Sequence, residues 1–384
     1  MNNKKFSKNM VNNFLNQKKY IFIIIFSILI YVYIRDGIVN VPVEDLDIPA
    51  GIGIHVIPKG KNSVEYQIPI SFYNYGEDMK ISTLTHTGTA GTIAETRERR
   101  QVFSNKKLIL GIERIIILSE EFSEFGIDHI IHTMFRNPLI NDTGLVAVCK
   151  GDPKEILSFQ VPDYPSSSDY ITAMLESSTK FNFFSDNYKF MDLYVRVDSE
   201  GRSLVLPYVE LKGEQLQITG LALFKKDKMV NKIDLAESKT LNMLRENKVK
   251  GVLKLQENSK EYLTYYATTK RKVRCEKKGD KYTFFIDLSL NGDIAENHLY
   301  HDIRENDKTM KKFESEMNEY VQRISNNFIE KMQNDYKVDC LELGRVAAAK
   351  YGRHKEIDWD EIVSNADIEV KVNVSVDKMG RGDY

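Results

Sequence analysis

Residues 20–34 read Tyr-Ile-Phe-Ile-Ile-Ile-Phe-Ser-Ile-Leu-Ile-Tyr-Val-Tyr-Ile without one charge, and no other feature constrains the chain as strongly. A helix over this run would be about 22 Å long, short of the hydrocarbon core of about 30 Å. Tyr20 at one end and Tyr31 and Tyr33 near the other suit the headgroup level, which eases the mismatch. The run is therefore expected to be a membrane anchor, carried by Tyr20, Ile24, Phe26, Leu29 and Tyr33. Lys4, Lys5, Lys8, Lys18 and Lys19 precede it, and Asp36, Glu44, Asp45 and Asp47 follow a single Arg35. The excess of lysine on the first side puts that side in the cytoplasm and the rest of the chain outside.

Two other readings of the run compete. A cleaved signal peptide needs small residues at its end, and Tyr31 to Gly37 has no A-x-A-like pattern. A buried core helix of this length is the other. A lipoprotein needs a cysteine just after the run, whereas the first cysteine is Cys149. No comparable apolar run follows residue 36, so one anchor and an otherwise water-soluble body are expected.

Cysteine and charge exclude further classes. Cys149, Cys275 and Cys340 are odd in number and widely spaced, so they support neither a disulfide framework nor a zinc ribbon. Lys plus Arg is 54 against 55 for Asp plus Glu, a formal net charge of −1. A dedicated nucleic-acid binder needs a basic surface to release counterions from phosphates, so no nucleic-acid partner is expected.

After the anchor the pattern is α+β, in three mixed α/β domains: 1–36 is the cytoplasmic end and anchor, 37–185 the first domain, 186–235 a small β-rich middle domain, and 236–384 the last. Val64, Tyr66, Ile68, Ile70 and Phe72 alternate with polar residues and Pro69, as in an edge strand, beside a strand over 51–57. Thr92 to Glu95 is a capping box opening a helix to about Phe103, and Ser119 and Asp152-Pro153 open two more. Ile115 to Leu118 is apolar on both faces, as a central strand would be. Short strands are expected at 190–197, 204–211 and 216–224, with a hairpin turning at Lys225 to Lys228. The last domain is expected to be an antiparallel sheet packed on an amphipathic helix over 308–335, with Phe313, Met317, Tyr320, Ile324, Phe328 and Met332 on one stripe. Its final strand alternates Ile368, Val370, Val372, Val374 and Val376 with polar residues, before a frayed tail over Met379 to Tyr384.

No local motif carries catalysis. There is no G-x-S-x-G elbow, and Gly88-Thr-Ala-Gly91 lacks the lysine of a phosphate-cradling loop. His129/His132 and His298/His301 are i, i+3 pairs without a third ligand in register, so no metal or cofactor is expected. The acidic runs Glu120-Glu121 and Asp358 to Glu361 suit helix starts, and the basic runs at 95–100 and 270–274 suit solvated faces.

The order of motifs resembles the Ger(x)C family, the C subunit of bacterial spore germinant receptors. Val43 to Ile54 resembles the family's acidic entry into its first strand, and Thr87 to Glu95 its glycine-threonine helix start. Ile115 to Glu121 with Gly126, Arg136 to Asn141, and Lys150 to Leu157 follow in the family's order. Gly220 to Met229 is similar to its hairpin, and Trp359 with the valine-rich strand to its end. Three departures stand out: no lipobox cysteine, Asn137 and Asn141 in place of Asp and Arg, and Asn231 in place of the hairpin's closing glycine.

The resemblance implies a non-catalytic receptor subunit on the outer face of the inner spore membrane, working with germinant receptor A and B subunits. The small-molecule germinant would be bound by the complex rather than by this chain. Candidate partner contacts are Gly88, Gly91 and the hairpin tip Lys225, Lys226, Asp227 and Lys228. Two other function classes compete: a membrane-tethered enzyme such as a cell-wall hydrolase, and a protein that captures a small molecule directly.

Overall fold

The computed structural model describes residues 18–33, 41–60, 63–75, 81–353 and 357–378. Residues 18–33 form one helix with every side chain exposed, Tyr20, Ile24, Phe26, Leu29 and Tyr33 included. Among the described residues, no helix is long and apolar enough to cross a membrane. Lys4, Lys5 and Lys8, the last residue of the expected anchor run, Ile34, with Arg35 and Asp36 after it, and the tail from Met379 lie outside the described residues. The body that begins at Asp47 is a unit of its own.

Its larger sheet has eight strands: β1 (Pro49–Gly60), β2 (Ser63–Tyr75), β3 (Ile81–Ala90), β4 (Ile115–Ser119), β5 (Leu145–Cys149), β6 (Val205–Lys212), β7 (Gln215–Lys225) and β8 (Lys228–Asp234). Their order is β8-β7-β6-β5-β4-β1-β2-β3. The central pairs β1/β4, β4/β5 and β5/β6 are parallel and the outer ones antiparallel. The central strands bury both faces because successive side chains point to opposite sides. Ile116, Leu118, Val146 and Val148 pack with Phe122, Ile130, Ile131, Phe190 and Leu193 on one face. Ile115, Ile117, Ala147 and Cys149 meet Ile156, Leu157, Ile171 and Leu175 on the other.

The helices on these faces start where polar caps predict. Thr92 Oγ1 accepts from Glu95 N at 3.3 Å before α1 (Ile93–Gln101), and Ser119 Oγ from Phe122 N at 3.0 Å before α2 (Glu120–Phe125). Asp152 accepts from Lys154 N at 2.8 Å before α4 (Pro153–Ser158), which follows α3 (Asp128–Phe135). Each contact satisfies a helix N–H that has no intrahelical partner.

Two expectations are corrected here. Pro69 is not at an edge, since β2 lies between β1 and β3. The β1/β2 ladder lacks pairs between Ile52↔Ile70 and His55↔Gln67, opposite Pro69, which has no N–H to donate, so the sheet accommodates the proline by leaving those positions unpaired. A Cβ on the facing Gly53 would lie 2.7 Å from the Pro69 ring, so only glycine leaves that ring room. The segment expected as a strand at 190–197 is helix α6 (Phe190–Asp198), which follows α5 (Ser167–Phe181). Phe190, Leu193 and Val197 fall at i, i+3 and i+7, a helical spacing. The remaining strands of the expected middle domain, β6 to β8, complete the first sheet, so the expected boundary at 185/186 coincides with no break in it.

The second sheet is β9 (Lys250–Gln256), β10 (Tyr262–Lys278), β11 (Lys281–Asn297) and β12 (Asp367–Lys378), in that order. It follows α7 (Leu235–Arg245) and packs on the long α8 (Asp307–Lys331). It is not wholly antiparallel. β12 runs parallel to β11, from Thr283↔Asp367 onward, because the chain crosses back through α8 before returning to the sheet. Phe313, Met317, Val321 and Phe328 of α8 share a core with Tyr265, Phe284, Ile286, Leu288 and Leu290. Asn318 Oδ1 accepts from Val374 N at 2.9 Å, so α8 also covers part of the β12 edge. The helix stops short of 335, passing into one wider turn at Met332–Tyr336 that ends at Lys337 with φ 52°.

Candidate docking surface

The β7/β8 hairpin turns at Lys226 and Asp227, with Lys225 paired to Lys228 and Lys226 in the left-handed region at φ 55°. Its tip is held on two sides. Asp227 O accepts from Ile127 N at 3.0 Å, and Lys225 Nζ lies 3.5 Å from Asp358 Oδ2. Lys226 and Lys228 are exposed. Beside the tip is a groove of about 550 Å³ whose acidic lining is Asp128, Asp198, Glu200, Asp227, Asp339, Asp358 and Asp360, against Arg202 and Lys226. The groove is therefore an electronegative concavity with one lysine at its rim, able to meet a basic surface.

The floor is rigidly built. Asp339 is buried and accepts from Leu343 N at 2.9 Å and Gly344 N at 2.6 Å, capping α9 (Leu343–Tyr351). Asp360, in the first turn of α10 (Trp359–Ser364), accepts from Asp339 N at 2.8 Å. Burial pushes the Asp339 carboxyl up to about 7 against these N–H bonds, and burial also raises Asp360. Trp359 Nε1 donates to Glu200 at 3.0 Å and its ring fills the space above Gly344, where a Cβ would lie 2.6 Å from Trp359 Cβ.

Behind the groove a buried ionic cluster joins the two sheets. Arg245 donates to Cys340 O at 2.6 Å, Ser203 O at 2.7 Å and Glu342 Oε1 at 2.9 Å. Arg271 donates to Leu341 O at 2.7 Å and Arg245 O at 2.9 Å, and Arg196 Nε lies 3.3 Å from Glu342. Burial opposes ionisation of Glu342, but Arg245 and Arg196 hold its carboxyl below the usual range. Glu342 itself sits at φ 54°, a conformation the surrounding bonds fix. No sequence spacing points to this cluster, because its members come from distant segments.

The other sequence-predicted positions fall elsewhere. Gly88 is in β3, not in a loop, and is buried: a Cβ there would lie 1.9 Å from Thr96 O of α1. Its role is close packing, whereas Gly91 is exposed at the bend before α1. His129 Nε2 is 2.6 Å from Tyr66 OH, and His132 Nε2 is 3.1 Å from Asp128, so the pair does not converge. His298 packs on the Tyr262 ring at 4.9 Å, and with His301 lines a separate groove of about 440 Å³. Among the described residues no three His, Cys, Asp or Glu side chains gather as metal ligands. The cysteines are free and buried, and burial raises the Cys149, Cys275 and Cys340 thiols, which suppresses nucleophilic thiolate.

Comparison with known proteins bears on this body directly. Residues 40–211 match the model described as "Spore germination protein N-terminal domain", and residues 219–380 match "Spore germination B3/ GerAC like, C-terminal". The spore germination protein GerQC of Bacillus cereus is 23% identical over 369 residues, covering 94% of this chain and 99% of the relative. The spore germination protein YndF of Bacillus subtilis (strain 168) is 24% identical over 302 residues, 76% of this chain and 72% of that one. The crystal structure of the GerBC protein superposes with a TM-score of 0.54 at 15% identity, over 85% of this chain and 97% of that one, and so shares the mixed α+β fold.

Proposed function

The chain belongs to the Ger(x)C family of spore germination proteins, and from that premise we propose that it is the C subunit of a spore germinant receptor. The observation that carries this reading is the match of both family regions, in order, along one chain. In this role it is non-catalytic and acts in nutrient-triggered germination by assembling with germinant receptor A and B subunits, while the complex binds the germinant. A single anchor over residues 20–34 holds the body on the extracytoplasmic side of the inner spore membrane. Tethering there raises the effective concentration of its surfaces beside membrane partners, so modest patches suffice for assembly. The hairpin tip at Lys225 to Lys228 and the acidic groove beside it offer such a patch.

Affinity isolation of the tagged full chain from detergent-solubilised spore inner membranes tests the assembly. Co-elution of the A and B subunits is expected. Recovery of the chain from that membrane without either subunit would contradict the reading.

A further inference from the structure

Among the described residues of the body, the two most exposed large apolar side chains are neighbours in sequence. Val102 is 79% exposed and Phe103 66%, at the turn where Phe103 N donates to Arg100 O at 3.0 Å and α1 ends. The Phe103 ring centroid lies 6.5 Å from that of His86 on β3, and the exposed Leu84 shares that strand face two residues earlier. The turn is well held, since Arg100 Nη1 donates to Ile68 O of β2 at 3.1 Å and the close approach of Gly88 to Thr96 seats α1 on β3. An apolar pair held out into water by a fixed turn marks a contact surface.

Its surroundings choose the partner. Arg97, Arg99 and Lys107 flank the pair in sequence and are exposed, with Lys106 half-buried, against Glu98 alone. Beyond the expected anchor the chain carries more acid than base, so an anionic bilayer repels the body on average but attracts this stretch. The same stretch holds the residue by which the body is tethered. Ser104 Oγ donates to Asp47 Oδ2 at 2.5 Å, and Ile109 N donates to Asp47 O at 3.1 Å. Asp47 begins the body, and residues 34–46 alone join it to Tyr33, at most about 50 Å of fully extended chain. The end of the body that carries Asp47 is therefore the end a membrane anchor keeps closest to the bilayer.

We propose that Val102 and Phe103 insert into the interface of an anionic lipid bilayer, with Arg97, Arg99, Lys106 and Lys107 at the level of its headgroups. Phenylalanine and valine suit the acyl boundary, and arginine and lysine the phosphates above it. Such a contact is weak alone, but the tether makes it intramolecular, so a two-residue wedge is enough to orient the body. The inference rests on the anchor over residues 20–34, and its test separates the two.

The full chain is reconstituted in vesicles of phosphatidylglycerol and phosphatidylcholine in equal parts, with brominated acyl chains that quench tryptophan. Trp359 is the one natural tryptophan and is buried, so the wild-type chain supplies the background. Flotation with the vesicles first checks the anchor, and circular dichroism checks that each variant is folded. Phe103→Trp is expected to lose at least about half of its added emission to bromine. Val230→Trp, at the opposite edge of the eight-stranded sheet, is expected to keep its emission. Adding Arg97→Glu and Arg99→Glu to Phe103→Trp is expected to relieve the quenching, by removing the attraction to phosphate. A chain that floats while Phe103→Trp stays unquenched overturns this inference alone and leaves the apolar pair to a protein partner. Equal quenching of Val230→Trp, or quenching that survives both charge reversals, also overturns it. A chain that does not float overturns the anchor, and this inference with it.

Discussion

Arg245 Nη2 lies 2.9 Å from Glu342 Oε1 where both side chains are almost wholly buried, and this pair ties the end of α7 to the 338–342 segment beside the core they share. Charges taken out of water hold only while they stay paired. Arg245→Ala is therefore expected to destabilise the fold by about 3–5 kcal/mol, because Glu342 loses its nearest partner while keeping Arg196 and Arg345, and the buried Cys340 and Ser203 carbonyls lose their donor. Adding Glu342→Ala to it should recover part of that loss. Urea unfolding of the three chains checks this, and a cost under about 1 kcal/mol for the single variant would mean the pair is dispensable.

Asp339 sets a pH dependence. Its carboxyl is raised from 3.8 in the unfolded chain to about 7 in the fold, by burial first and then by Asp360 and Glu342, with the Gly344 and Leu343 N–H groups opposing. The native state thus holds a proton that the unfolded state releases, so the contribution is fully present below about pH 4 and is lost as pH rises through about 7. Asp339→Asn is expected to flatten the fall in melting temperature across that window. An unchanged slope by scanning calorimetry would contradict it.

Gly88 leaves no room for a side chain, since its Cβ would meet the Thr96 carbonyl rather than a movable side-chain tip. Gly88→Ala is expected to push α1 off the sheet and cost about 1–3 kcal/mol. Gly91→Ala, at the exposed bend, should cost well under that. Equal denaturation midpoints for the two variants would refute this packing role.

The amino-terminal run gives a localisation test. Ile24→Lys with Ile25→Lys puts two charges in the middle of it, and each costs about 2.5–3.5 kcal/mol at a membrane-helix centre. The double variant is expected in the soluble fraction after cell breakage. Continued sedimentation with membranes, resistant to salt, would contradict the anchor.

Signals that live within a few residues were legible from sequence. The caps at Thr92, Ser119 and Asp152, the alternation of Ile368 to Val376 and the hairpin after Gly220 all appear where the residues predict. The family resemblance, carried by motif order, is borne out by the matches over 40–211 and 219–380. Strand order was not legible, since the same alternation serves an edge or an interior strand, and Pro69 was misplaced for that reason. The parallel course of β12 depends on where α8 delivers the chain, not on any residue in the strand. Phe190 to Val197 is short enough to satisfy two periodicities, and packing selected the helix. The acidic groove and the Arg245–Glu342 cluster are assembled from segments far apart in sequence, so no local pattern announced them.

The most direct measurement of the central claim is the refractility of spores from which this chain alone has been deleted, followed after adding nutrient and bile-type triggers in turn. The account predicts that the response to at least one trigger is lost, and that re-expressing the wild-type chain restores it. Spores that turn phase-dark at the wild-type rate with every trigger would contradict it.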